Sequence, residues 1–285
     1  MKYFEGFYVR CTTESDSLAV IFGRQKSGKD ASSFIQIITK DASFGVTYGT
    51  NVQCIFKEKK FEVRVGDSFA DKSGLSLDID AENFSVKGRV NFGEFTKIKY
   101  GCMGPLSALP LMECKHYVVS MKHTLQGQIV LNGKEYDFDD GIGYIEGDKG
   151  KSFPQKYFWS QCSDKGISLF ASAARIPYLG IRFMGTICVA HFEDKEYRFA
   201  TYLGAKVKQI DEKNLRIRQG KRELTVEVLD EKKGLPLAAP SLGKMTRVIK
   251  ESLMRTVCYR LTNGEKVLFD FTSNLAAHEF SQVLD

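Results

Sequence analysis

The residues best suited to chemistry lie in one stretch near the middle of the chain, GYIEGDKGKSFPQKYFWSQC, residues 143–162. Its first half carries two carboxyl groups, Glu146 and Asp148, and its second half carries an aromatic cluster around Trp159. An extended backbone places alternate side chains on one face of a sheet. The stretch therefore predicts a pocket in which a carboxyl group lies among aromatic rings.

Two predicted strands supply the candidate side chains. The first strand, residues 143–148, places three of them on one face: Tyr144, Glu146 and Asp148. The second strand, after Pro154, places three more on one face: Tyr157, Trp159 and Gln161. A carboxyl group that loses its water among aromatic rings has a raised pKa and can donate a proton. The structural alternative is that the carboxylates pair with Lys151 or Lys156 and the rings belong to the core.

Two stretches resemble phosphate-binding loops without completing one. In the first, which begins at Gly23, Asp30 stands where a Ser or Thr should bind magnesium, and no helix pattern follows. In the second, Ile145 replaces the first glycine and Pro154 blocks a following helix. We expect polar turns at both places and no nucleotide partner.

The remaining motifs favour neither metal nor nucleophilic catalysis. The four histidines lack a metal-binding spacing on a helix, and Glu113-x-x-His116 has no third ligand nearby. A structural role for this pair is the first interpretation, and no bound metal is expected. No G-x-S-x-G motif of a serine hydrolase is present in the sequence.

Composition and charge limit the partners. With 285 residues and 43% hydrophobic content, the chain can bury a substantial core. A net charge of +6 is too small to favour a nucleic-acid partner. In the basic run of residues 204–222, the pairs Lys206/Lys208 and Arg216/Arg218 alternate along predicted strands. A solvated sheet face is the first interpretation, and peripheral contact with an anionic membrane is the functional alternative.

Cysteine usage and the N-terminus predict a cytoplasmic protein. The N-terminal residues 1–15 lack the apolar core of a signal peptide, and no apolar run is long enough to span a membrane. The seven cysteines are an odd number and contain no C-x-x-C pair, so we expect reduced thiols.

Short alternating runs bounded by Gly, Asn and Asp predict an all-β fold. Asn132-Gly133 and Asn263-Gly264 each lie between alternating runs and predict tight hairpin turns. A short C-terminal helix is expected from Ser273 or Asn274 through LAAHEFSQVL. A proline-bearing interruption at residues 101–116 predicts two β domains, residues 1–120 and 121–285, each a barrel-like or sandwich-like sheet.

The stretch 143–162 resembles the signature of the tocopherol cyclase family, Y-x-E-K-N-W-G-x-x-F-P-x-K-W-F-W-x-Q-C-N. The matching residues are Tyr144, Glu146, Gly150, Phe153, Pro154, Lys156, Phe158, Trp159, Gln161 and Cys162. Residues 3–8, YFEGFY, are similar to the family's opening Y-F-E-G-W-Y, and LPLMECKH is similar to an F-P-x-x-E-x-x-H-like stretch. The chain departs from the signature at residues 147–149, where Gly-Asp-Lys replaces Lys-Asn-Trp, and at Tyr157, which replaces a tryptophan.

This resemblance implies two lipocalin-like antiparallel β domains and a cofactor-free apolar pocket for a lipophilic small molecule. It also implies a proton-initiated cyclisation or isomerisation of a prenylated quinol or a similar isoprenoid. Glu146 is the first candidate for the acid, with Asp148 and Glu113 as alternatives. The residues expected to bind substrate are Tyr144, Phe153, Tyr157, Trp159, Gln161 and His116. A non-catalytic lipocalin-like carrier is the alternative function.

Overall fold

The computed structural model describes residues 2–110 and 112–283, which form an almost entirely β structure. The strands are β1 (Lys2–Thr12), β2 (Ser17–Ser27), β3 (Asp30–Thr39), β4 (Ser43–Tyr48), β5 (Cys54–Lys57), β6 (Glu62–Val65), β7 (Ser68–Asp71), β8 (Gly74–Ala81), β9 (Phe84–Phe92), β10 (Cys114–Leu131), β11 (Lys134–Asp137), β12 (Ile142–Gly150), β13 (Lys156–Asp164), β14 (Ile167–Tyr178), β15 (Ile181–Phe192), β16 (Lys195–Ala200), β17 (Lys206–Ile210), β18 (Asn214–Gln219), β19 (Arg222–Val228), β20 (Leu235–Ser241), β21 (Lys244–Asn263) and β22 (Lys266–Gln282). Short 3₁₀ turns cover Glu58–Lys60, Gly104–Ala108 and Thr201–Leu203. Among the described residues, no helix has the length and hydropathy needed to cross a membrane.

The strands form two antiparallel sheets, so the predicted all-β class is confirmed. The first sheet has the order β4-β3-β2-β1-β12-β10-β9-β8-β7-β6-β5, with β11 paired to β10. The second has the order β16-β15-β14-β13-β22-β21-β19-β18-β17, with β20 paired to β21. Strand β12 therefore lies inside the first sheet, and β13 lies inside the second.

The chain also divides into two compact units that are not simple halves of the sequence. The first unit contains residues 1–97, 118–151 and 240–246, and the second contains residues 98–117, 152–239 and 247–285. The division into folding domains 1–120 and 121–285 stays a prediction, because grouping residues by contact does not test independent folding.

Each unit has its own apolar interior. In the first unit, Phe7 packs edge-on against Phe61, with ring centroids 5.2 Å apart. In the second unit, one face of β13 contributes Phe158 and Cys162 to a core shared with strands β14, β18, β19 and β21. The opposite face of β13 is thus left to carry the candidate site residues.

Both predicted hairpins are present, but one turn is displaced by a residue. Asn132 and Gly133 have φ values of 50° and 79° and connect the last pair of β10 and β11, as the Asn-Gly signal predicts. In the second hairpin Asn263 still pairs with Lys266, so the two-residue turn begins at Gly264, which has a φ of 63°. A register shift between Leu261 and Thr262 accompanies this displacement.

The predicted C-terminal helix is wrong, because residues 266–282 form strand β22. This strand lies between β13 and β21 and is hydrogen-bonded to both, which satisfies its backbone without helical bonds. Four consecutive residues, 276–279, are buried, so the strand lacks the alternation of a half-exposed strand. Leu284, at the end of the predicted helix, lies outside the described residues.

The two phosphate-loop-like stretches lie in β structure. Gly28, with a φ of 67°, forms the turn between β2 and β3, as expected for a polar turn. The second stretch was expected to be a turn, but residues 145–150 belong to β12. Strand pairing with β1 extends through Gly150 and explains the difference.

Candidate functional site

The two halves of the stretch 143–162 form the two strands that the sequence predicts. Three predicted site residues, Tyr144, Glu146 and Asp148, lie on β12 in the first unit. The other predicted site residues lie in the second unit: Glu113, His116, Phe153, Tyr157, Trp159 and Gln161.

On β12, a tyrosine and a glutamate form a buried hydrogen bond. Tyr144 and Glu146 are two residues apart and lie on the same face of the strand. The Tyr144 hydroxyl donates to Glu146 Oε2 over 2.6 Å, and both side chains are buried. The structure thus brings together two of the residues that the sequence selected.

A buried cation lies opposite this pair and was missed by the sequence interpretation. Arg10 on β1 is 2% exposed and is the register partner of Tyr144, while Tyr8 is the partner of Glu146. The Arg10 Nε group donates to Ser17 Oγ over 3.1 Å. Arg10 sits in the run FYVRCT, where alternation with Tyr8 places it on the face of the pair.

Asp148 is less buried than Glu146. It is the register partner of Gly6 on β1 and lies near the end of β12. The neighbouring Lys149 forms an ion pair with Glu58. The predicted alternation of Tyr144, Glu146 and Asp148 is therefore confirmed, with burial decreasing along the strand.

A neutral histidine packs beside the same strand. The His123 ring lies over Gly143, where an added Cβ would be 2.1 Å from Nε2, and contacts the rings of Phe92 and Phe95. Its Nδ1 is 3.0 Å from Ser120 Oγ. Burial lowers the pKa of His123 to about 3, so the ring is uncharged at neutral pH.

In the second unit, β13 presents an aromatic and polar wall. Tyr157, Trp159 and Gln161 share the face opposite Phe158 and Cys162, and all three are buried. Gln161 donates from Nε2 to Ser163 Oγ over 3.2 Å. The predicted common face of these three side chains is confirmed, and we call them, with their strand neighbours Phe170 and Glu279, the β13 wall.

Glu279 is the carboxyl group that lies within this wall, and the sequence interpretation missed it. It is the register partner of Trp159 on β22, and it accepts a hydrogen bond from the Tyr157 hydroxyl. Glu279 is 8% exposed and Glu251, its partner on β21, is 2% exposed. Two buried carboxyl groups are therefore placed opposite each other. In a strand over residues 276–282, Glu279 and Ser281 lie on one face and His278 lies on the other. The sequence interpretation predicted a helix here and therefore did not select Glu279.

His116 and Phe153 also lie beside the β13 wall. The His116 ring is 5.6 Å from the Phe170 ring, and Phe170 is the register partner of Gln161. Phe153 packs edge-on against Tyr157 with ring centroids 6.1 Å apart. The structure thus brings these two predicted residues to the face that carries Trp159.

Glu113 is placed differently from the other two predicted acids. Its backbone carbonyl accepts a hydrogen bond from the Ser152 amide over 3.4 Å, and its side chain is half-buried. It precedes β10 by one residue. Its backbone therefore ties residues 113 and 152 together within the second unit.

His278 contacts the backbone of the β13 wall from the opposite face of the sheet. Its Nδ1 is 3.0 Å from the Trp159 carbonyl oxygen and its Nε2 is 2.9 Å from the Glu212 carbonyl oxygen. Burial lowers the pKa of His278 to about 4, and the two carbonyl groups oppose that shift. The ring thus fixes the backbone of Trp159 from the face opposite Glu279.

A separate pocket of about 270 Å³ lies in the first unit. Its lining includes Tyr3, Arg24, Ser33 and Cys54. Arg24 forms an ion pair with Glu5 at 2.6 Å, and burial is the largest cause that raises the pKa of Tyr3 to about 12. No sequence motif indicated this pocket, because its lining residues come from four strands and a loop.

Comparison with known proteins places residues 79–281 within the family model described as tocopherol cyclase-like. The chain is 25% identical over 224 residues to the probable chloroplastic tocopherol cyclase of Oryza sativa subsp. japonica, matching 69% of this chain and 45% of that protein. It is also 25% identical over 215 residues to the chloroplastic tocopherol cyclase of Zea mays, with the same two coverages. The chain therefore spans about half the length of the curated relatives it matches.

The fold has a clear counterpart among solved structures. The crystal structure of kievitone hydratase from Nectria haematococca superposes with a TM-score of 0.57 and covers 99% of this chain and 89% of that one. The sequences are only 11% identical, so this likeness concerns the fold alone. The predicted lipocalin-like architecture is confirmed.

Proposed function

Because this chain belongs to the tocopherol cyclase-like family, we propose that it is an enzyme that protonates a lipophilic isoprenoid-type substrate and cyclises or isomerises it. A prenylated quinol is the substrate class that the family likeness favours. The reaction is a net isomerisation, so it consumes no redox equivalent and requires no cofactor.

The observation that carries this proposal is the position of Glu279 in the β13 wall. Its buried carboxyl group lies on the same face as Trp159 and accepts a hydrogen bond from Tyr157. Protonation of an alkene needs an acid, an aromatic surface that tolerates a cation, and little water. The wall supplies these three features within one unit.

The opposed carboxyl group of Glu251 favours Glu279 as the acid. Two carboxylates facing each other on adjacent strands repel when both are ionised, so the site favours a state in which one keeps its proton. Glu146 lies instead two register positions from the buried cation Arg10, on the same face of the sheet, and a nearby cation favours a carboxylate. Glu146, Asp148 and Glu113 remain the candidates that the sequence selected, and the experiment below compares them with Glu279.

The chemical step is balanced without an additional reactant. The carboxyl proton adds to the less substituted alkene carbon and leaves a tertiary carbocation. The phenol oxygen then bonds to the cationic tertiary carbon. The phenol proton passes to the carboxylate and restores the carboxyl group. The Trp159 ring faces the developing cation, and Tyr157, Phe153, Gln161 and His116 bind the remainder of the substrate.

The test is turnover of a prenylated quinol, followed by chromatography of the chromanol product. Glu279→Gln keeps the size of the side chain but removes the proton, and we expect its turnover to fall by about 10²- to 10⁴-fold. Substrate affinity should change little, because the aromatic wall is intact. Glu265→Gln, in the exposed turn before β22, is the matched control and should retain the parent rate.

Other outcomes would assign the acid to a different residue or exclude all four candidates. If Glu279→Gln is active and Glu146→Gln, Asp148→Asn or Glu113→Gln is not, then that residue is the acid. If all four variants match the parent, proton transfer from these carboxyl groups is excluded. If the parent binds the quinol without converting it, the chain is a carrier.

A cytoplasmic location and a lipophilic small-molecule partner belong to the same proposal. All seven cysteines are free, which fits a reducing compartment. Arg216 and Arg218 are exposed on β18, and Lys206 and Lys208 are exposed on β17. These four cations support peripheral contact with an anionic membrane.

A further inference from the structure

The hairpin formed by β14 and β15 extends beyond the strands on either side. The pairing of β13 with β14 reaches Ala174, and the pairing of β16 with β15 begins at Ile187. In the strand pairing described here, residues 175–184 pair only with each other. At about 3.3 Å per residue, Leu179 lies about 17 Å along the strand beyond Ala174. We call residues 175–184 the hairpin tip.

The hairpin tip has two chemically different faces. Register pairing places four apolar or aromatic side chains on one face: Ile176, Tyr178, Ile181 and Phe183. The other face carries both cations of the tip, with Arg175 opposite Met184 and Arg182 opposite Pro177. Both arginines are exposed. The tip is therefore an amphipathic hairpin.

The end of the tip exposes two large apolar side chains. Leu179 is 73% exposed and Ile181 is 63% exposed. Leu179 also has a φ of 48° in the two-residue turn with Gly180, a conformation that favours Asn or Gly. Leu179 therefore gains neither burial nor a favoured turn conformation at this position.

The charge of the residues around the hairpin tip indicates an anionic partner. No Asp or Glu occurs between Asp164 and Glu193, whereas Lys165, Arg175 and Arg182 do. We propose that the hairpin tip docks on an anionic lipid bilayer, with Leu179 and Ile181 entering the interface and the arginines binding lipid phosphates. Two side chains provide far less area than the roughly 1,200 to 2,000 Å² of a stable protein interface, but they suffice for reversible membrane contact.

The apolar face of the tip is continuous with the β13 wall. Beyond Ile176 the next positions on that face are Ala174 and Ser172, which are the register partners of Tyr157 and Trp159. One sheet face therefore leads from the exposed tip to the wall. A lipophilic molecule leaving the bilayer would meet an apolar surface along this route. The docking rests on the membrane contact in the proposed function and not on the proposed reaction.

The test is co-flotation with phosphatidylcholine vesicles prepared with and without phosphatidylserine. We expect the parent protein to bind the phosphatidylserine-containing vesicles. The variant Leu179→Asn/Ile181→Thr should bind on the order of 100-fold less, because each of the two apolar side chains that enter the interface contributes about tenfold or more. Asn is favoured at positive φ in the turn, and Thr is favoured in strands. The midpoint temperature of thermal unfolding should therefore equal that of the parent. Val248→Thr, at a position that is 67% exposed on β21, is the matched control and should bind like the parent.

A second variant separates charge from apolar insertion. Arg175→Gln/Arg182→Gln should reduce the increase that phosphatidylserine gives, while weak binding to phosphatidylcholine is retained. The proposal is overturned if the parent binds neither vesicle or if Leu179→Asn/Ile181→Thr binds like the parent. It is also overturned if light scattering shows that the tip instead joins two copies of the chain, with a parent dimer that the double variant abolishes. Vesicle binding is measured without substrate, so its failure and the failure of the proposed reaction are distinguishable.

Discussion

Each unit contains a buried tyrosine–glutamate pair, and the two tyrosines lie on the successive strands β12 and β13. In the first unit Tyr144 donates to Glu146, which is two residues away, and in the second Tyr157 donates to Glu279, which is 122 residues away. The chemical groups in the two pairs are the same. The surroundings differ, because Arg10 is the register partner of Tyr144, whereas Glu251 is the register partner of Glu279 and the Arg247 guanidinium lies 5.7 Å from the centroid of the Tyr157 ring.

We infer that the group across the strand biases the protonation state of each buried carboxyl group. A neighbouring cation favours the ionised form, which can accept a proton or stabilise positive charge. A neighbouring carboxyl group favours the neutral form, which can donate a proton. We therefore expect the Tyr157–Glu279 pair to supply acid chemistry and the Tyr144–Glu146 pair to stabilise the first unit.

The largest effect on stability is expected from the aromatic partner of the second pair. Trp159 is 7% exposed and is the register partner of Glu279. Trp159→Ala should lower the free energy of unfolding by about 3 to 5 kcal/mol and weaken quinol binding, as measured by urea unfolding and a binding titration. Trp159→Phe is the matched control and should retain most of both properties. An alanine variant that unfolds like the parent would show that the wall is not packed as described.

A smaller effect concerns pH and the first unit. The folded-state pKa of His123 is about 3, below the model-peptide value of about 6.5, because the ring is buried. Its contribution to stability is therefore complete above pH 6.5 and is lost as the pH falls towards 3, since the unfolded chain binds the proton first. Between pH 7 and pH 5 this loss is about 2 kcal/mol.

The measurement is urea unfolding at several pH values for the parent and for His123→Leu, which cannot titrate. The parent should lose about 2 kcal/mol more than the variant between pH 7 and pH 5. His278 has a pKa lowered to about 4 and changes stability in the same direction in both proteins. Equal losses in the two proteins would mean that His123 is accessible to protons in the folded state.

The smallest predicted effect on stability compares the charge of the carboxyl group in the two pairs. A hydrogen bond to a charged group contributes about 1.5 to 3 kcal/mol, and one between neutral groups contributes about 0.5 to 1.5 kcal/mol. Tyr144→Phe should therefore be more destabilising than Tyr157→Phe by about 1 kcal/mol at neutral pH. Each variant is the control for the other in urea unfolding. The reverse order would place the charged carboxylate in the second unit.

The sequence could predict the first pair because its members are close in the chain. Tyr144 and Glu146 are two residues apart, so an extended backbone is enough to place them together. The Asn132-Gly133 turn was predictable for the same reason, since positive φ at two adjacent positions is a local requirement. The β13 wall was also anticipated in part, through Tyr157, Trp159 and Gln161.

The second pair could not be predicted from local pattern. Glu279 lies in a strand whose residues 276–279 are all buried, so the sequence shows no alternation there and was interpreted as a helix. Its pairing with Trp159 depends on β22 entering the sheet beside β13. Arg10 and Glu251 were missed likewise, because the register that places them opposite the two pairs is set by long-range strand pairing.

The most direct measurement of the central claim is the reaction of a prenylated quinol in D₂O, followed by mass spectrometry of the product. If Glu279 donates an exchangeable proton to the alkene, the parent product should contain one deuterium on carbon. Glu279→Gln should then form this product about 10²- to 10⁴-fold more slowly, while Glu146→Gln stays near the parent rate. A product without deuterium on carbon, or a Glu279→Gln variant that forms the deuterated product at the parent rate, would contradict the account.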